Sequence, residues 1–359
     1  MTSLEDLPIR DDLRGSVPYG APQLPDGIQL NVNENSFGVP AEVQSEISAE
    51  ISKTLANLHR YPDRDFLQLR EMLANYVPGD VSKEQIWAAN GSNEILQQFH
   101  QAFGGPGRLA LSFGPTYSMY PVIAKATLTE YSELPRQEGY ELSADYVSHA
   151  IKKHRPAIVI LCNPNNPTGT SISQEVIQAA YESTHGMVVV DEAYAEFSSE
   201  SSAISLLENR PRLVISRTMS KAFAFAGVRL GYMVSDPAVV DAMRLVRLPY
   251  HLSSLTQAAS IAAIRNSELM LSNVKEISRE RERVARGLRS LGLSVLPSES
   301  NFLLVEGFTD PRAVFDYLLQ RGLIIRKTTI PGALRITIGT PDENDRLMDL
   351  MPEALSSLD

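Results

Sequence analysis

Lys221 and Asp191 are the residues whose surroundings best suit them to chemistry. Lys221 stands between Ser220 and Ala222 among small and apolar residues, the setting of a partly desolvated amine. Desolvation lowers the pKa of a lysine, and a neutral amine can form a Schiff base with a carbonyl compound. Asp191 closes the apolar run 187–190, where a carboxylate is costly without a partner. A pyridinium nitrogen is one such partner, because the carboxylate would keep that ring protonated as an electron sink.

Both residues also have a simpler interpretation. A lysine taken alone is usually a surface residue. A carboxylate after a strand can cap a helix or form a structural ion pair. The sequence around Lys221 and Asp191 leaves these alternatives open.

Further polar residues could bind other parts of the same ring compound. Asn166 and Tyr194 could both hydrogen-bond a phenolic oxygen, although Asn is also a common turn residue. Gly91, Ser92 and Asn93 stand at a predicted strand-to-helix turn. The free N–H groups and dipole of such a turn favour a phosphate, and the alternative is a plain helix cap.

A second set of residues could complete a phosphate site. Thr218 and Ser220 carry hydroxyl donors, and Arg229 could donate in a bidentate manner. Tyr117 could stack on an aromatic ring, although a tyrosine taken alone is more often part of a core.

The elements that must position these residues are short apolar runs, each followed by a turn and a helical pattern. The runs lie at 86–89, 109–111, 158–161, 187–190 and 213–215. They are apolar on both faces and rich in Val and Ile, which predicts parallel strands buried between helices. Ligands of open α/β sheets bind just beyond the carboxyl ends of the strands, where the polar residues above would converge.

After about residue 236 the pattern changes. Segments 300–308 and 333–339 are predicted as strands on either side of a helix near 311–321, which suits a smaller α+β domain. The predicted organisation is an N-terminal arm at 1–32, a large α/β domain at 33–240 and a small domain at 241–359.

Composition excludes several classes of function. The 359 residues include 33 Lys and Arg against 43 Asp and Glu, and the net charge of −10 argues against a nucleic-acid partner. The single cysteine, Cys162, allows no internal disulfide and no cysteine-based zinc site, and no metal is predicted. The sequence has no apolar stretch of about 18 residues and no secretory pattern at its start, so we expect no membrane partner and a cytoplasmic location.

Three motifs in this order make the interpretation specific: N-P-N-N-P-T-G at 163–169, D-E-A-Y at 191–194, and S-K-A-F-A-F-A-G-V-R-L-G-Y at 220–232. Together they resemble the fold-type I pyridoxal-phosphate-dependent aminotransferases. Over nearly the whole chain the sequence is similar to the histidinol-phosphate aminotransferases of class II, particularly the actinobacterial type. The resemblance implies a large, mostly parallel-sheet domain that binds the cofactor and a smaller α+β domain.

The resemblance implies a role for each candidate residue. Lys221 would hold pyridoxal 5′-phosphate covalently, and Asp191 would pair with the ring nitrogen. Asn166 and Tyr194 would bind the ring hydroxyl, and Tyr117 would stack on the ring. The catalytic residues would be Lys221, Asp191 and Tyr194. The cofactor phosphate would lie against Gly91, Ser92, Asn93, Thr218, Ser220 and Arg229.

The resemblance also implies a homodimer with shared active sites. Tyr61, in R-Y-P-D, is similar to the tyrosine that reaches the cofactor phosphate from the other subunit. Arg335 matches the arginine that grips the anionic end of the substrate, and Arg326 matches its helper. The remaining substrate residues would be Tyr19, Asn33 and Tyr250. Lys327 departs from close relatives, which often carry an acidic residue there; it would add positive potential near the substrate or lie on the surface as most lysines do.

The implied reaction passes an amino group from histidinol phosphate to 2-oxoglutarate in histidine biosynthesis, giving imidazole acetol phosphate and glutamate. Paired arginines suit both substrates, because a guanidinium group fits phosphate and carboxylate alike. An aromatic amino-acid aminotransferase acting on phenylalanine is the alternative within the same chemistry. A ligand sensor fused to a DNA-binding module is the alternative from another class. It would need an additional basic helix-turn-helix segment, for which a pattern that begins by residue 19 leaves no room.

Overall fold

The computed structural model describes residues 2–18, 20 and 27–356, so the predicted substrate residue Tyr19 lies outside the described residues. The strands are β1 (Ile28–Gln29), β2 (Ile86–Ala89), β3 (Leu109–Gly114), β4 (Glu130–Pro135), β5 (Ile158–Cys162), β6 (Met187–Asp191), β7 (Leu213–Thr218), β8 (Gly231–Ser235), β9 (Ser294–Val295), β10 (Phe302–Glu306), β11 (Leu323–Ile324), β12 (Arg326–Lys327) and β13 (Ala333–Thr337). The α-helices are α1 (Ala41–Leu55), α2 (Leu67–Tyr76), α3 (Ser92–Phe103), α4 (Met119–Ala126), α5 (Ala144–His154), α6 (Gln174–Glu182), α7 (Pro237–Val246), α8 (Ser254–Arg265), α9 (Ser267–Met270), α10 (Val274–Ser290), α11 (Pro311–Gln320) and α12 (Pro341–Ser356).

A seven-stranded sheet in the order β2-β8-β7-β6-β5-β3-β4 forms the centre of the larger part. The strands from β7 to β4 pair in parallel, and β8 is antiparallel to both β2 and β7. The five strands predicted from apolar runs are present and run in one direction, which confirms the predicted α/β class. β2 has this direction too but does not pair with the other four strands, because the antiparallel β8 separates it from β7. The runs did not predict β4 and β8.

Burial explains why the central strands follow the apolar runs. Every residue of β5 and β6 is buried, as expected for strands covered by helices on both faces. The strands β5, β6 and β7 end at Cys162, Asp191 and Thr218. Because these strands are parallel, the three residues stand at one edge of the sheet.

The smaller part is a four-stranded antiparallel sheet, β12-β13-β10-β9, covered by α10, α11 and α12. Its core includes Ile277, Phe302 and Leu347. Leu30 belongs to the same core, and β1 pairs in parallel with β11. The segment just before residue 32 therefore packs on the smaller part of the molecule.

The core of the larger part continues beyond residue 240. Met243 in α7, together with Ala259 and Ile264 in α8, packs into the same core as the seven-stranded sheet. The limits 1–32, 33–240 and 241–359 stay a prediction. Since Ile277 is the first buried residue after position 240 that belongs to the second core, we propose that the smaller part starts near Val274, at the beginning of α10.

None of the helices in the described part of the chain combines the length and apolar character needed to cross a membrane.

Gly231 allows β8 to lie directly against the turn between β2 and α3. It pairs with Ala89 on one side and Thr218 on the other. A Cβ atom at residue 231 would lie 2.2 Å from the carbonyl carbon of Gly91 and 2.2 Å from the amide nitrogen of Ser92. Both contacts are with backbone, which cannot move aside as a side chain can.

We therefore expect Gly231→Ala to lower the free energy of unfolding by roughly 1–3 kcal/mol, the usual cost of overpacking. Denaturant unfolding followed by circular dichroism measures the change. Gly227→Ala is the control, because a Cβ at residue 227 meets no atom within 4 Å. Equal unfolding midpoints for the two variants would contradict the close-approach argument.

Candidate active site

A cavity of about 220 Å³ lies at the carboxyl ends of β5, β6 and β7. It is lined by residues from both parts of the molecule, since Arg326 and Arg335 come from the smaller sheet. The predicted site residues that line it are Asn33, Ser92, Asn93, Tyr117, Asn166, Asp191, Tyr194, Thr218, Ser220, Lys221, Arg229, Arg326 and Arg335. Their individual roles stay predictions.

Lys221 places its amine in this cavity directly after β7. Burial lowers its pKa to about 8, and the positive charge of Arg335 acts in the same direction. The amine donates a hydrogen bond to the carbonyl oxygen of Val32 at 2.8 Å. An amine with this pKa has a substantial neutral fraction near pH 8, which is the form that attacks a carbonyl carbon.

Asp191 is 2% exposed at the end of β6. Its Oδ2 accepts a hydrogen bond from the Tyr120 hydroxyl at 2.8 Å, whereas Oδ1 has no hydrogen-bond partner among the described residues. Burial raises the pKa of this carboxyl group to about 6, and the Tyr120 hydroxyl opposes that change. A buried acceptor without a hydrogen bond is destabilising. A ligand that donates to Oδ1 would remove this cost.

The turn before α3 has the geometry of an anion cradle. Gly91 has a φ of 87° and precedes α3, whose first residues are Ser92 and Asn93. A Cβ at residue 91 would lie 2.5 Å from Nη2 of Arg229, so only glycine lets the guanidinium approach the turn. Arg229 donates to the Ser220 hydroxyl at 3.3 Å. Free amides at the start of a helix and a guanidinium group together favour a phosphate.

The Tyr194 hydroxyl lies between two side-chain amides. Asn33 donates to it at 2.8 Å and Asn166 at 3.2 Å. Two accepted hydrogen bonds leave the hydroxyl hydrogen available to a third group. Burial raises the pKa of Tyr194 above its usual value, so the group is a neutral donor.

Arg335 joins the smaller sheet to this cluster. Its Nη1 donates to Asn166 Oδ1 at 2.7 Å, and its Nη2 donates to the carbonyl oxygen of Asn31 at 2.6 Å. Arg326 on β12 lies directly opposite Arg335 on β13. Directly opposed residues of antiparallel strands share a face, so both guanidinium groups face the cavity.

Lys327 points away from the two arginines. Its ammonium lies 4.4 Å from the ring centroid of Phe315 in α11, on the opposite face of β12 from Arg326. Adjacent residues of a strand alternate between faces, which explains the difference. Lys327 nevertheless lines a neighbouring cavity of about 430 Å³ together with both arginines.

Tyr61 and Tyr250 do not line the cavity of their own chain. Their rings stack on each other with centroids 4.5 Å apart, and Tyr61 is 79% exposed. Within a single chain the structure therefore does not bring these two predicted residues to the site.

The cavity also contains residues that the sequence patterns did not indicate. Asn31, Val32, Ala193 and Cys162 line it, and Tyr120 lies behind Asp191. Tyr120 had a detectable signal, since it follows Tyr117 at the three-residue spacing of a helical face. Among the described residues, no cluster of His, Cys, Asp and Glu side chains is arranged to hold a metal ion.

Comparisons with known proteins agree with this arrangement. The family model described as aminotransferase class I and II matches residues 25–350. The fold also matches the histidinol-phosphate aminotransferase from Sinorhizobium meliloti in complex with pyridoxal-5′-phosphate, with a TM-score of 0.89, 24% identity, and coverage of 99% of this chain and 100% of that chain. The aspartate aminotransferase from Thermus thermophilus with maleate matches with a TM-score of 0.78, 23% identity, and 92% of each chain covered. The fold and the matched model define the chain as a class I and II aminotransferase.

Relatives with higher sequence identity indicate which family within this class the chain belongs to. The histidinol-phosphate aminotransferase of Paenarthrobacter aurescens (strain TC1) is 50% identical over 357 residues, which cover 98% of this chain and 96% of the relative. That of Corynebacterium diphtheriae is 49% identical over 356 residues, covering 98% of this chain and 97% of the relative. The chain belongs to the histidinol-phosphate aminotransferase family.

Proposed function

We propose that the chain binds pyridoxal 5′-phosphate in the cavity and transfers an amino group from histidinol phosphate to 2-oxoglutarate. The products would be imidazole acetol phosphate and glutamate. The observation that carries this proposal is that Lys221 and Asp191 line one cavity beside an anion cradle, and that Oδ1 of Asp191 has no hydrogen-bond partner in the described part of the chain. The choice of substrate is supported by relatives of that name at about 50% identity over nearly the whole chain.

The residues present fit this cofactor. Asp191 Oδ1 offers an acceptor for a protonated ring nitrogen, and Tyr194 has a hydrogen to donate to a ring hydroxyl. The start of α3, with Ser220 and Arg229, offers donors for the phosphate. When bound, pyridoxal phosphate supplies a protonated ring that withdraws electrons from the substrate α-carbon.

The proton transfers would fall to Lys221. Its neutral Nζ would take the proton from the substrate α-carbon and would carry it toward the cofactor, so that one side chain serves as base and then as acid. The lowered pKa of Lys221 keeps part of the amine neutral near pH 8, as a general base requires. Asp191 would hold the ring nitrogen positive, and Asn166 and Tyr194 would fix the orientation of the ring.

Arg326 and Arg335 would bind the anionic end of each substrate. They line both the cavity described above and a neighbouring cavity of about 430 Å³, so a ligand that spans the two meets both guanidinium groups. The net charge of −10 gives no long-range attraction for phosphates or dicarboxylates. Binding would therefore depend on these local arginines.

A homodimer with shared active sites is part of the proposal. Apolar side chains beside the Tyr61–Tyr250 stack are strongly exposed in the single chain, Leu245 at 86% and Leu248 at 77%. Arg247 ties this segment to the one that carries Tyr61, through an ion pair of 2.7 Å with Asp65. An exposed apolar patch of this kind is typical of a surface covered by another chain. A cytoplasmic location fits a biosynthetic enzyme of small metabolites.

The substrate assignment predicts the outcome of a direct comparison of amino donors. With 2-oxoglutarate as acceptor and one enzyme preparation, we expect kcat/KM for histidinol phosphate to exceed that for phenylalanine by at least roughly 100-fold. The physical reason is that paired guanidinium groups are left partly unsatisfied by a donor without a phosphate. A larger value for phenylalanine would refute the assignment in favour of an aromatic amino-acid aminotransferase.

Arg326 and Arg321 form a matched pair for testing the anion site. We expect Arg326→Gln to lower kcat/KM for histidinol phosphate roughly 10- to 100-fold, because hydrogen bonds to charged groups contribute about 1.5–3 kcal/mol. Arg321→Gln should change the same constant by less than about twofold, since this guanidinium group lies 3.5 Å from the ring centroid of Tyr317 and lines neither cavity. Equal losses in the two variants would show that general charge, and not the Arg326 contact, attracts the substrate.

Mixing inactive variants tests whether Tyr61 acts across a dimer. Lys221→Ala should lose the visible absorbance of the bound cofactor and nearly all turnover, and Tyr61→Ala should be strongly impaired. In a heterodimer of the two, one site has Lys221 from one chain and Tyr61 from the other. Random subunit exchange in an equal mixture should therefore restore about a quarter of wild-type activity, because half of the dimers then have one intact site of two.

The control mixes Lys221→Ala with Asp191→Asn. Both residues line the same cavity of one chain, so their exchange rebuilds no intact site. Recovery in the Tyr61 mixture alone supports the shared site. Absence of recovery, with subunit exchange verified by tagged chains, would show that Tyr61 does not act across the dimer.

A further inference from the structure

Tyr120 is a fully buried tyrosine for which the proposed reaction has so far no use. It is 0% exposed, and its hydroxyl donates to Oδ2 of Asp191 at 2.8 Å. The ring belongs to the core of the larger part, so packing fixes the position of the hydroxyl. Because Tyr120 does not line the cavity, it can act on a ligand there only through Asp191.

The helix that carries Tyr120 also connects it to the cavity. The Tyr120 amide donates to the Tyr117 carbonyl at 3.1 Å, and the two rings meet edge to face with centroids 5.5 Å apart. Tyr117 itself lines the cavity. Tyr117, just before α4, therefore lines the cavity, and Tyr120, in the first turn of α4, contacts the Asp191 carboxylate.

Within residues 2–18, 20 and 27–356, no other side chain offers Asp191 a comparable contact. Cys162 lies opposite it on β5, but the thiol donates to the Pro164 carbonyl, and burial raises its pKa to about 12. Glu192 follows directly after β6, and its carboxylate is bound by Arg217 at 2.8 Å. The Tyr120 hydroxyl is thus the side-chain donor that fixes which way the Asp191 carboxylate turns.

We propose that Tyr120 is a positioning residue that holds Asp191 by Oδ2, so that an ionised Oδ1 faces the ring nitrogen of the cofactor. The inference rests on the proposed binding of pyridoxal phosphate in this cavity. A carboxylate with one oxygen bound has a fixed plane, and the hydrogen bond stabilises its charged form. Without the hydroxyl, the carboxylate keeps the Ala193 amide but loses its side-chain donor. It then holds a proton more readily, so the ring nitrogen loses protonation.

The test uses holoenzyme loaded with pyridoxal phosphate that carries ¹⁵N in the ring. The ¹⁵N resonance reports directly whether the ring nitrogen is protonated. We expect Tyr120→Phe to move this resonance toward the unprotonated position and to weaken cofactor binding by roughly tenfold, equivalent to about 1.4 kcal/mol. In an Asp191→Asn background the same substitution should weaken binding much less, because the effect passes through the carboxylate.

Tyr131→Phe is the matched control. Its hydroxyl also bonds two side chains, Ser112 and Glu133, but it lies on β4 and outside the cavity. We expect the ring-nitrogen resonance to stay at its wild-type position in this variant. Equal resonances in wild type and Tyr120→Phe, or equal displacement in both Phe variants, would overturn the proposal.

Folding of Tyr120→Phe is checked by circular dichroism. If this variant does not fold, the double variant Tyr120→Phe/Asp191→Asn decides, because an amide removes the uncompensated charge. Recovery of folding supports the proposal, whereas an unfolded double variant assigns Tyr120 to packing alone and overturns it. Wild-type protein that binds no pyridoxal phosphate would instead refute the proposed function itself.

Discussion

The structure depends on the burial of a carboxylate at the end of a fully apolar strand. Asp191 follows four buried residues of β6 and is itself 2% exposed. An ionised carboxylate at such a place is stable only with partners for its oxygens. The Tyr120 hydroxyl donates to Oδ2 and the Ala193 amide also favours the charged form, whereas Oδ1 has no hydrogen-bond partner among the described residues. A protonated ring nitrogen could donate a hydrogen bond to this oxygen. The proposed cofactor would therefore supply the donor that Oδ1 lacks among the described residues.

The smaller part of the molecule completes the cavity through the segment around residue 32. Leu30 anchors this segment in the second core, while the Val32 carbonyl accepts a hydrogen bond from Lys221 and the Asn31 carbonyl accepts one from Arg335. Tyr194, from the motif after β6, also packs in the second core, against Phe302. The cavity is therefore held from both cores at once, so a shift of one core against the other would move Arg335 relative to Lys221.

Local sequence was sufficient to predict the strands that are apolar on both faces and to locate the polar motifs that follow them. It was not sufficient for β8, whose residues Gly231–Ser235 continue directly from the third motif and form a strand only because β2 and β7 flank it. Tyr120 is a similar case, since its role depends on a carboxylate 71 residues away. The sequence could suggest Tyr61 only through resemblance, because its exposed position gives no sign of a site within one chain. Contacts between residues distant in sequence cannot be predicted from periodicity and spacing, which describe only local structure.

Backbone conformation at the site indicates that ligand geometry has been favoured over local stability. Asn33 and Arg229 both line the cavity and have φ values near +60°, in the left-handed region that non-glycine residues rarely adopt. Such a residue costs roughly 1–2 kcal/mol and persists where its surroundings hold it in place. Arg229 shows the benefit: its turn brings the guanidinium to within hydrogen-bond distance of Ser220 and close to Gly91. Glycine at position 229 would lower the conformational free-energy cost of this turn, but it has no side chain that could bind a phosphate.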